Sequence, residues 1–418
     1  MNSAASRNTS ISQEADMPTK KRRRLKVGNL IALIAVCAIV LGGAVFAGWK
    51  LLGPKGDEKQ TADVTPEPTA TPTPEPTPDP NIKKFSLFVC GDALLHESVY
   101  EDAKNEDGSF NFGKQLDHVL ETAEPYDLQY YNQETILGGT ELGLSGYPTF
   151  NSPQEYGSYM VSKGFNLVST ANNHCLDKGQ KGLTASHDFW AAQPGVLMQG
   201  TNESQEEYDA IASMEVNGIK VAFLSYCEHT NGIKAPHSYS VNYFPGHEEE
   251  MLDKVRRAKA ENDVVIVAMH WGTEYAHEVN QKQTTLAQQL TEAGADVIVG
   301  NHVHVIQPFQ WVNGKPVFYA MGNLISSQIG VERTTGMIAG MDITKTIKED
   351  GTSEITIDNV RADLIYTYME GVYPALRTNI RVYNYKELTD EILPDHEAYY
   401  EQFKNIMTSL DQNITIGM

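Results

Sequence analysis

The apolar residues of this chain form short runs with two different spacings. Continuous runs rich in Val and Ile are typical of buried strands, whereas apolar residues spaced three or four positions apart are typical of helices. The first pattern predicts strands at residues 85–90, 167–170, 264–269 and 296–300. The second predicts helices at residues 154–163, 179–193, 247–262, 281–293 and 394–410.

Three dipeptides between alternating runs predict β-hairpins. Asn217-Gly218, Asn313-Gly314 and Asp350-Gly351 each match the type I′ turn, in which both central residues take a positive φ angle. Strands that alternate with helices, combined with hairpins, predict an α/β fold in which helices cover packed sheets, rather than a pure doubly wound sheet.

Polar residues suited to metal binding follow several of these strands. His174 follows the second strand within Asn172-Asn173-His174, His270 follows the third, and His302 and His304 follow the fourth. Ligands of open α/β sheets bind beyond the carboxyl ends of the strands, so we expect these residues to converge. Alternate residues of an extended segment point the same way, and His302 and His304 are therefore expected to share one ion.

Oxygen donors add to this set. Asp92 follows the first strand, and Asn132 and Glu134 follow an aromatic pair at residues 130–131. Imidazole, carboxylate and amide ligands together suit Zn, Mn or Fe better than a metal that prefers thiolates. A single histidine after a strand is more often a hydrogen-bonded structural residue, so the prediction of a metal site rests on the whole set.

The first eighty residues differ in character from the rest. A basic segment at residues 1–26 precedes a 23-residue stretch without charges at residues 27–49, which is long enough to cross a bilayer. The positive flank predicts a cytoplasmic N-terminus and an extracellular main domain, attached to the cell membrane by a signal anchor. A cleaved signal peptide is the alternative, although its apolar region is normally about 7–15 residues long. Residues 50–80, rich in Pro and Thr, predict an extended linker.

The remaining chain is strongly acidic. Ten of the 33 Lys and Arg residues and eight of the 54 Asp and Glu residues lie in the first eighty positions, which leaves 23 basic and 46 acidic residues beyond them. Such a surface repels nucleic acid phosphates, and no nucleic acid partner is expected. We assign residues 81–344 to the main domain and residues 345–418 to a strand-and-helix extension; the alternative of a separate C-terminal domain stays open.

The order of the polar motifs resembles that of a known family. From about residue 85 to about residue 326, the motifs are similar to those of the CapA family of bacterial capsule, or poly-γ-glutamate, synthesis proteins. They are Gly91-Asp92, Asn132-Gln133-Glu134, Asn172-Asn173-His174 with Asp177, His270-Trp271-Gly272-Thr273-Glu274-Tyr275, Gly300-Asn301-His302-Val303-His304 and Tyr319-Ala320-Met321-Gly322-Asn323.

That resemblance implies a fold and a set of roles. The family resembles calcineurin-like metallophosphoesterases, which have a two-sheet sandwich flanked by helices and two metal ions at the strand ends. The residues implied as metal ligands are Asp92, Glu134, Asn173, His270, His302 and His304. His174 is implied as the acid that protonates a leaving group, with Asp177 beside it. His96, Asn132 and Glu274 are expected to contact and orient the ligands.

One departure from the phosphoesterase pattern concerns the first ligands. Those enzymes begin with an Asp-x-His pair, whereas here Asp92 is followed only four residues later by His96. One metal position is therefore expected to lack a ligand, or to take His96 in an altered geometry.

Two classes of function follow from these observations. The first is a membrane-anchored, metal-dependent hydrolase of phosphatase type that acts in capsule or poly-γ-glutamate biosynthesis, on an anionic surface polymer or a phosphorylated carrier. The second is a non-catalytic component of a capsule synthesis complex in the membrane, which binds or exports the polymer. A bound cation would bridge the acidic protein to a polyanion in either case.

Overall fold

The structure is a computed structural model that describes residues 79–372 and 374–418. The predicted basic segment, membrane span and all but the end of the linker lie outside these residues. Within the described residues, every helix is too short or too polar to cross a bilayer.

Strands and helices alternate along the first two thirds of the described chain, and strands dominate the last third. The strands are β1 (Ile82–Ala93), β2 (Leu128–Gln133), β3 (Leu167–Ser169), β4 (Leu197–Gln199), β5 (Ser213–Val216), β6 (Ile219–Cys227), β7 (Val264–His270), β8 (Val297–Asn301), β9 (Phe309–Val312), β10 (Lys315–Phe318), β11 (Asn323–Ile325), β12 (Thr335–Ile347), β13 (Ser353–Glu370), β14 (Thr378–Asn384) and β15 (Thr415–Ile416). The helices are α1 (Glu97–Ala103), α2 (Gly113–Leu120), α3 (Glu155–Ser162), α4 (Gly179–Ala191), α5 (Gln205–Asp209), α6 (Glu248–Glu261), α7 (Gln281–Ala293), α8 (Val331–Thr334) and α9 (His396–Met407), with 3-10 turns at Thr140–Leu142 and Tyr385–Glu387.

The first sheet is mixed and has β1 near its centre. Its strand order is β14-β13-β12-β1-β2-β3-β4, with β11 beside β1 and β15 beside β13. Strands β1 to β4 run parallel, whereas β12 pairs with β1 in the antiparallel sense. At the carboxyl end of β1 the short strand β11 pairs with it instead, so that Asp92 lies opposite Asn323.

The second sheet has the order β5-β6-β7-β8-β10-β9. Strands β6, β7, β8 and β10 are parallel, and an antiparallel hairpin closes each edge. Its parallel strands are almost fully buried, which agrees with their continuous Val and Ile runs.

The two sheets pack face to face over a shared apolar core. Alternate residues of β1, such as Leu87 and Val89, meet Val221 of β6 and Ile266 of β7 in one cluster. Intervening residues pack against helices on the outer faces: Phe88 against the α2 side, and Val267 against the α6 and α7 side. The prediction of a mixed α/β fold with helices covering packed sheets is confirmed.

Two of the three hairpin turns have the predicted type I′ geometry. Asn217 and Gly218 have φ angles of 50° and 80°, and Asn313 and Gly314 have 52° and 72°. The prediction is wrong for Asp350-Gly351, because among these two only Gly351 has a positive φ angle. The Asp350 carboxylate accepts hydrogen bonds from the amide and hydroxyl groups of Thr352, which stabilises a longer connection between β12 and β13.

The C-terminal residues belong to the first sheet. The proposed boundary at residue 344 falls inside β12, and β13 pairs with β12 along most of its length. Phe403 and Met407 of α9 enter the shared core between the sheets.

Candidate metal centre

The predicted site residues meet where the carboxyl ends of both sheets come together. Asp92 lies near the end of β1, Glu134 directly follows β2, and His270 ends β7. Asn173 lies in the turn after β3, and His302 lies in the bend after β8. The expected convergence of residues far apart in sequence is therefore found.

Glu134 is the residue on which the site centres. Its side chain is fully buried, and neither carboxylate oxygen has a hydrogen-bond partner among the described residues. Oε1 lies 3.5 Å from Nε2 of His304 and 3.8 Å from Nε2 of His270. A buried carboxylate without a partner is costly, and a bound cation would remove that cost.

Two groups of potential ligands share Glu134. The first, which we call the His270 triad, consists of Glu134, His270 and His302; the second, the His304 triad, consists of Asp92, Glu134 and His304. In each group the candidate ligand atoms lie within 4.8 Å of one another, and all these side chains are buried. The described residues therefore include two adjoining groups that could hold metal ions.

Asn173 adds an oxygen to the His270 triad. Its Oδ1 lies 2.9 Å from Nε2 of His270, and Nδ1 of His302 lies 3.1 Å from the same nitrogen. Three potential ligand atoms thus crowd around one point, as expected for groups that face a common cation.

The His304 triad is more acidic and is held by amide side chains. Nδ1 of His304 lies 3.5 Å from Oδ2 of Asp92 and 3.1 Å from Oδ1 of Asn323. Asn132 donates a hydrogen bond of 2.8 Å to Oδ1 of Asp92 and so orients this carboxylate. Oδ2 of the same carboxylate accepts a hydrogen bond from the backbone N–H of His302.

The structure places His302 and His304 in different triads, whereas their spacing predicts that they share one ion. Their φ angles are 97° and 59°, so the segment is left-handed rather than extended, and their ring centroids lie 6.3 Å apart. Positive φ angles are unfavourable for residues with a Cβ atom and need support from surrounding contacts. The hydrogen bond from His302 to Asp92 supplies part of that support, and each histidine belongs to a different triad.

The protonation states of the histidines differ between the triads. Burial, together with neighbouring histidines, lowers the pKa of His270 well below its ordinary value and that of His302 to about 3. Burial alone would also lower the pKa of His304, but the negative charges of Glu134 and Asp92 outweigh it and raise the pKa to about 9. Burial raises the pKa of Glu134 as well. The His304 triad therefore retains a proton at neutral pH in the absence of a cation.

His174 lies beside the triads and forms a pair with Asp177. Nδ1 of His174 is 2.8 Å from Oδ2 of Asp177, and that carboxylate also accepts a hydrogen bond from the backbone N–H of Phe150. Asn231 links this pair to the His270 triad, because it contacts both His174 and Asn173. The contact with Asp177 leaves Nε2 of His174 as the nitrogen able to transfer a proton.

The three residues expected to orient the ligands differ in their contacts with the triads. Asn132 contacts Asp92 and lies 3.5 Å from His270. His96 is half-buried outside both triads, where its Nδ1 is 3.1 Å from the carbonyl oxygen of Leu94 and burial lowers its pKa to about 4. Glu274 is exposed, and its charge helps to raise the pKa of His304.

Several neighbours of the site were not predicted. The His229 ring lies 5.4 Å from that of His302, at a position two residues after β6. The rule that polar residues after strand ends converge would have identified it. Asn323 belongs to the motif at residues 319–323, and Asn231 precedes Gly232 in a dipeptide typical of turns.

The matched family and relatives agree with the order of the motifs. The family model described as "Bacterial capsule synthesis protein PGA_cap" matches residues 86–328. The PGA biosynthesis protein CapA of Bacillus subtilis (strain 168) is 31% identical over 164 residues, or 39% of this chain and 43% of that protein. The capsule biosynthesis protein CapA of Bacillus anthracis is 33% identical over 171 residues, or 40% and 41%. The match thus spans less than half the length of these curated relatives.

Two solved structures resemble part of this chain. A hypothetical protein from Thermus thermophilus has a TM-score of 0.39 and 16% identity, covering 66% of this chain and 99% of that chain. A 5'-nucleotidase from Candida albicans SC5314 has a TM-score of 0.37 and 12% identity, covering 64% and 52%.

Proposed function

The chain belongs to the family of bacterial capsule synthesis proteins described as PGA_cap, and from this premise we propose that it is a metal-dependent hydrolase of phosphatase type in surface polymer synthesis. The relatives from Bacillus subtilis and Bacillus anthracis are named for PGA biosynthesis and capsule biosynthesis. We extend that process to this chain, with poly-γ-glutamate as the first polymer to consider.

The buried Glu134 carboxylate is the observation that carries the proposal. Both of its oxygens are without hydrogen-bond partners among the described residues, and it lies between the His270 and His304 triads. Nitrogen and oxygen donors in this combination fit Zn, Mn or Fe. We therefore assign one ion to Asn173, Glu134, His270 and His302, and a second ion to Asp92, Glu134 and His304.

Ions at these two positions would supply Lewis acidity and lower the pKa of a coordinated water molecule. The side chains around them have complementary tasks. Asp177 holds Nδ1 of His174, so that Nε2 can donate a proton to the leaving oxygen of a phosphoester. Asn132 orients Asp92, which keeps the carboxylate directed towards His304.

The proposal includes a location and partners. We propose that residues 27–49 anchor the chain in the cell membrane and that residues 50–80 extend the main domain away from it on the outer side. The substrate would be an anionic surface polymer or a phosphorylated carrier, handled together with a capsule synthesis complex. The alternative is a non-catalytic component that binds or exports the polymer through the same site.

Metal content and turnover, measured on the purified full chain, test the hydrolase. We expect about two equivalents of transition metal by mass spectrometry, and hydrolysis of bis(p-nitrophenyl) phosphate or p-nitrophenyl phosphate. A His302→Ala, His304→Ala variant should lose both, because each histidine belongs to a different triad. A His118→Ala, His247→Ala variant is a matched control, since these histidines form ion pairs outside the site.

A folded wild-type protein without metal and without turnover would contradict the hydrolase and favour the non-catalytic alternative. His174→Ala separates the two functions further. It should reduce turnover by roughly 10²-fold or more in an enzyme while the thermal unfolding midpoint stays within a few degrees of wild type, whereas a binding component should tolerate it.

A further inference from the structure

An arginine side chain lies over an aromatic ring beside the His304 triad. The guanidinium carbon of Arg333 is 4.3 Å from the ring centroid of Tyr275. The Tyr275 ring centroid is in turn 6.1 Å from that of His304. A cation therefore lies close to the candidate metal centre of a protein whose charge is strongly negative.

Tyr275 is held in place by the same bend that carries the histidines. Its backbone N–H donates a hydrogen bond of 2.7 Å to the carbonyl oxygen of Val303, which lies between His302 and His304. Its φ angle is 67°, an unfavourable value for a tyrosine. Even so, 44% of the residue is exposed, so the site keeps a large aromatic surface open to solvent.

Arg333 is tied to the site through its backbone. Its carbonyl oxygen accepts a hydrogen bond of 2.8 Å from Nδ2 of Asn323, and Oδ1 of Asn323 lies 3.1 Å from Nδ1 of His304. Arg333 and Tyr275 thus approach His304 from two different segments of the chain.

The guanidinium group of Arg333 has no anionic partner among the residues that the structure describes. Two of the other described arginines do have one: Arg256 pairs with Asp253, and Arg361 pairs with Asp342. No side-chain hydrogen bond of Arg333 is found among the described residues, so its N–H groups can bind an anion with two parallel hydrogen bonds while the Tyr275 ring supports the cation.

We propose that Arg333, supported by Tyr275, binds a carboxylate group of the substrate outside the metal centre. One positive charge and one planar edge match a carboxylate monoanion, whereas a phosphate dianion would be repelled more strongly by the exposed Glu274 next to Tyr275. The inference rests on the proposed function only in placing this group on the substrate. It makes the enzyme selective for phosphoesters or polymers that also bear carboxylates.

Binding of a labelled peptide to the full chain tests the assignment. The probe is fluorescein-labelled tetra-γ-glutamate, followed by fluorescence anisotropy with and without added Mn²⁺; a second probe has all its carboxylates converted to carboxamides. Arg333→Gln should weaken binding of the first probe by roughly tenfold, because a charged, bidentate contact is lost. Arg333→Lys should bind the first probe with an affinity between those of wild type and Arg333→Gln. Neither variant should change binding of the carboxamide probe.

Arg381→Gln is the matched control. Arg381 is exposed and also stacks on a tyrosine, with its guanidinium carbon 5.6 Å from the ring of Tyr383, but it lies on β14. This variant should bind both probes as wild type does. Equal binding of tetra-γ-glutamate to wild type and Arg333→Gln would overturn the proposal, as would an equal loss of binding for the carboxamide probe.

Peptide binding, metal content and turnover of the full chain together separate this inference from the hydrolase. If the wild-type chain has no metal and no turnover, yet binds the peptide through Arg333, the hydrolase fails and the carboxylate site stands. Normal turnover of p-nitrophenyl esters, combined with peptide binding that does not depend on Arg333, would support the hydrolase and overturn the carboxylate site.

Discussion

The His270 triad and the His304 triad share Glu134 but differ in the charge of the other side chains. The neutral amide of Asn173 joins His270 and His302. His304 is joined by a second carboxylate, Asp92, and by the amide oxygen of Asn323, and among the described residues this group has no second histidine of the kind that Asp-x-His provides.

This difference determines how each position would acquire an ion. The low pKa values of His270 and His302 leave their ring nitrogens free of protons at neutral pH. His304 has a pKa of about 9, so an ion at its position must displace a proton. We infer that the position at the His270 triad fills first and that the position at the His304 triad is the weaker and more pH-dependent one.

Replacing Glu134 should have the largest effect, because both positions depend on it. Glu134→Gln keeps the side-chain volume but removes the shared negative charge, and we expect loss of both metal equivalents and a fall in turnover of roughly 10³-fold or more. Metal content and phosphoester hydrolysis measure this. Loss of only one equivalent would show that the two positions do not share Glu134.

Replacing His174 should affect the chemistry at both positions without affecting their occupancy. We expect His174→Ala to reduce turnover by roughly 10²- to 10⁴-fold while metal content stays at the wild-type value, because the general acid is lost and the ligands remain. Asp177→Asn should give a smaller loss of roughly 10- to 100-fold. A substrate with a very good leaving group, such as a 2,4-dinitrophenyl ester, should reduce the His174→Ala effect, and an unchanged effect would contradict its role as acid.

A pair of ligand variants should separate the two positions. His302→Ala is expected to weaken the tighter equivalent and Asp92→Asn the weaker one, each by roughly 10- to 100-fold, because each ligand belongs to one triad. Calorimetric titration with Zn²⁺ measures both affinities. Below pH 9, the affinity of the weaker equivalent should rise about tenfold for each pH unit as the proton on His304 is lost. An affinity ratio that stays constant with pH would remove the proposed difference between the positions.

Replacing His96 should have the smallest effect on turnover. Its Nδ1 contacts the carbonyl oxygen of Leu94, and it is outside both triads, so His96→Ala should change turnover by less than about threefold and leave two equivalents bound. If the weaker equivalent is lost instead, His96 completes the position at the His304 triad, and the two positions are more alike than the distances indicate.

Local patterns predicted the elements well, because burial and turn chemistry act over a few residues. The run at residues 264–269 became β7, and Asn217-Gly218 formed the expected turn. The strand order could not be predicted from the sequence. β1 pairs with β12, about 250 residues later, and no local pattern specifies that partner.

The candidate metal ligands could be predicted as a set but not in their arrangement. The rule for strand ends brought Asp92, Glu134 and His270 together correctly. The division of His302 and His304 between two triads could not be foreseen, because it depends on a left-handed backbone that contacts from other segments, such as Asp92, help to hold. The contact between Arg333 and Tyr275 could not be predicted, although Tyr275 belongs to the motif at residues 270–275, because it joins α8 to the segment after β7.

Two glycines lie where the two sheets come into close contact, and the geometry of the site requires that they have no side chain. A methyl group at Gly91 would lie 1.8 Å from the carbonyl oxygen of Gly322, and one at Gly300 would lie 1.8 Å from that of Tyr319. The segment between those two carbonyls joins β1 on one side to β8 on the other. A substitution at either glycine would therefore push Asp92 away from the histidines of the opposite sheet. In any catalogue of natural variants, Gly91 and Gly300 belong with the ligands, although neither can bind an ion through a side chain.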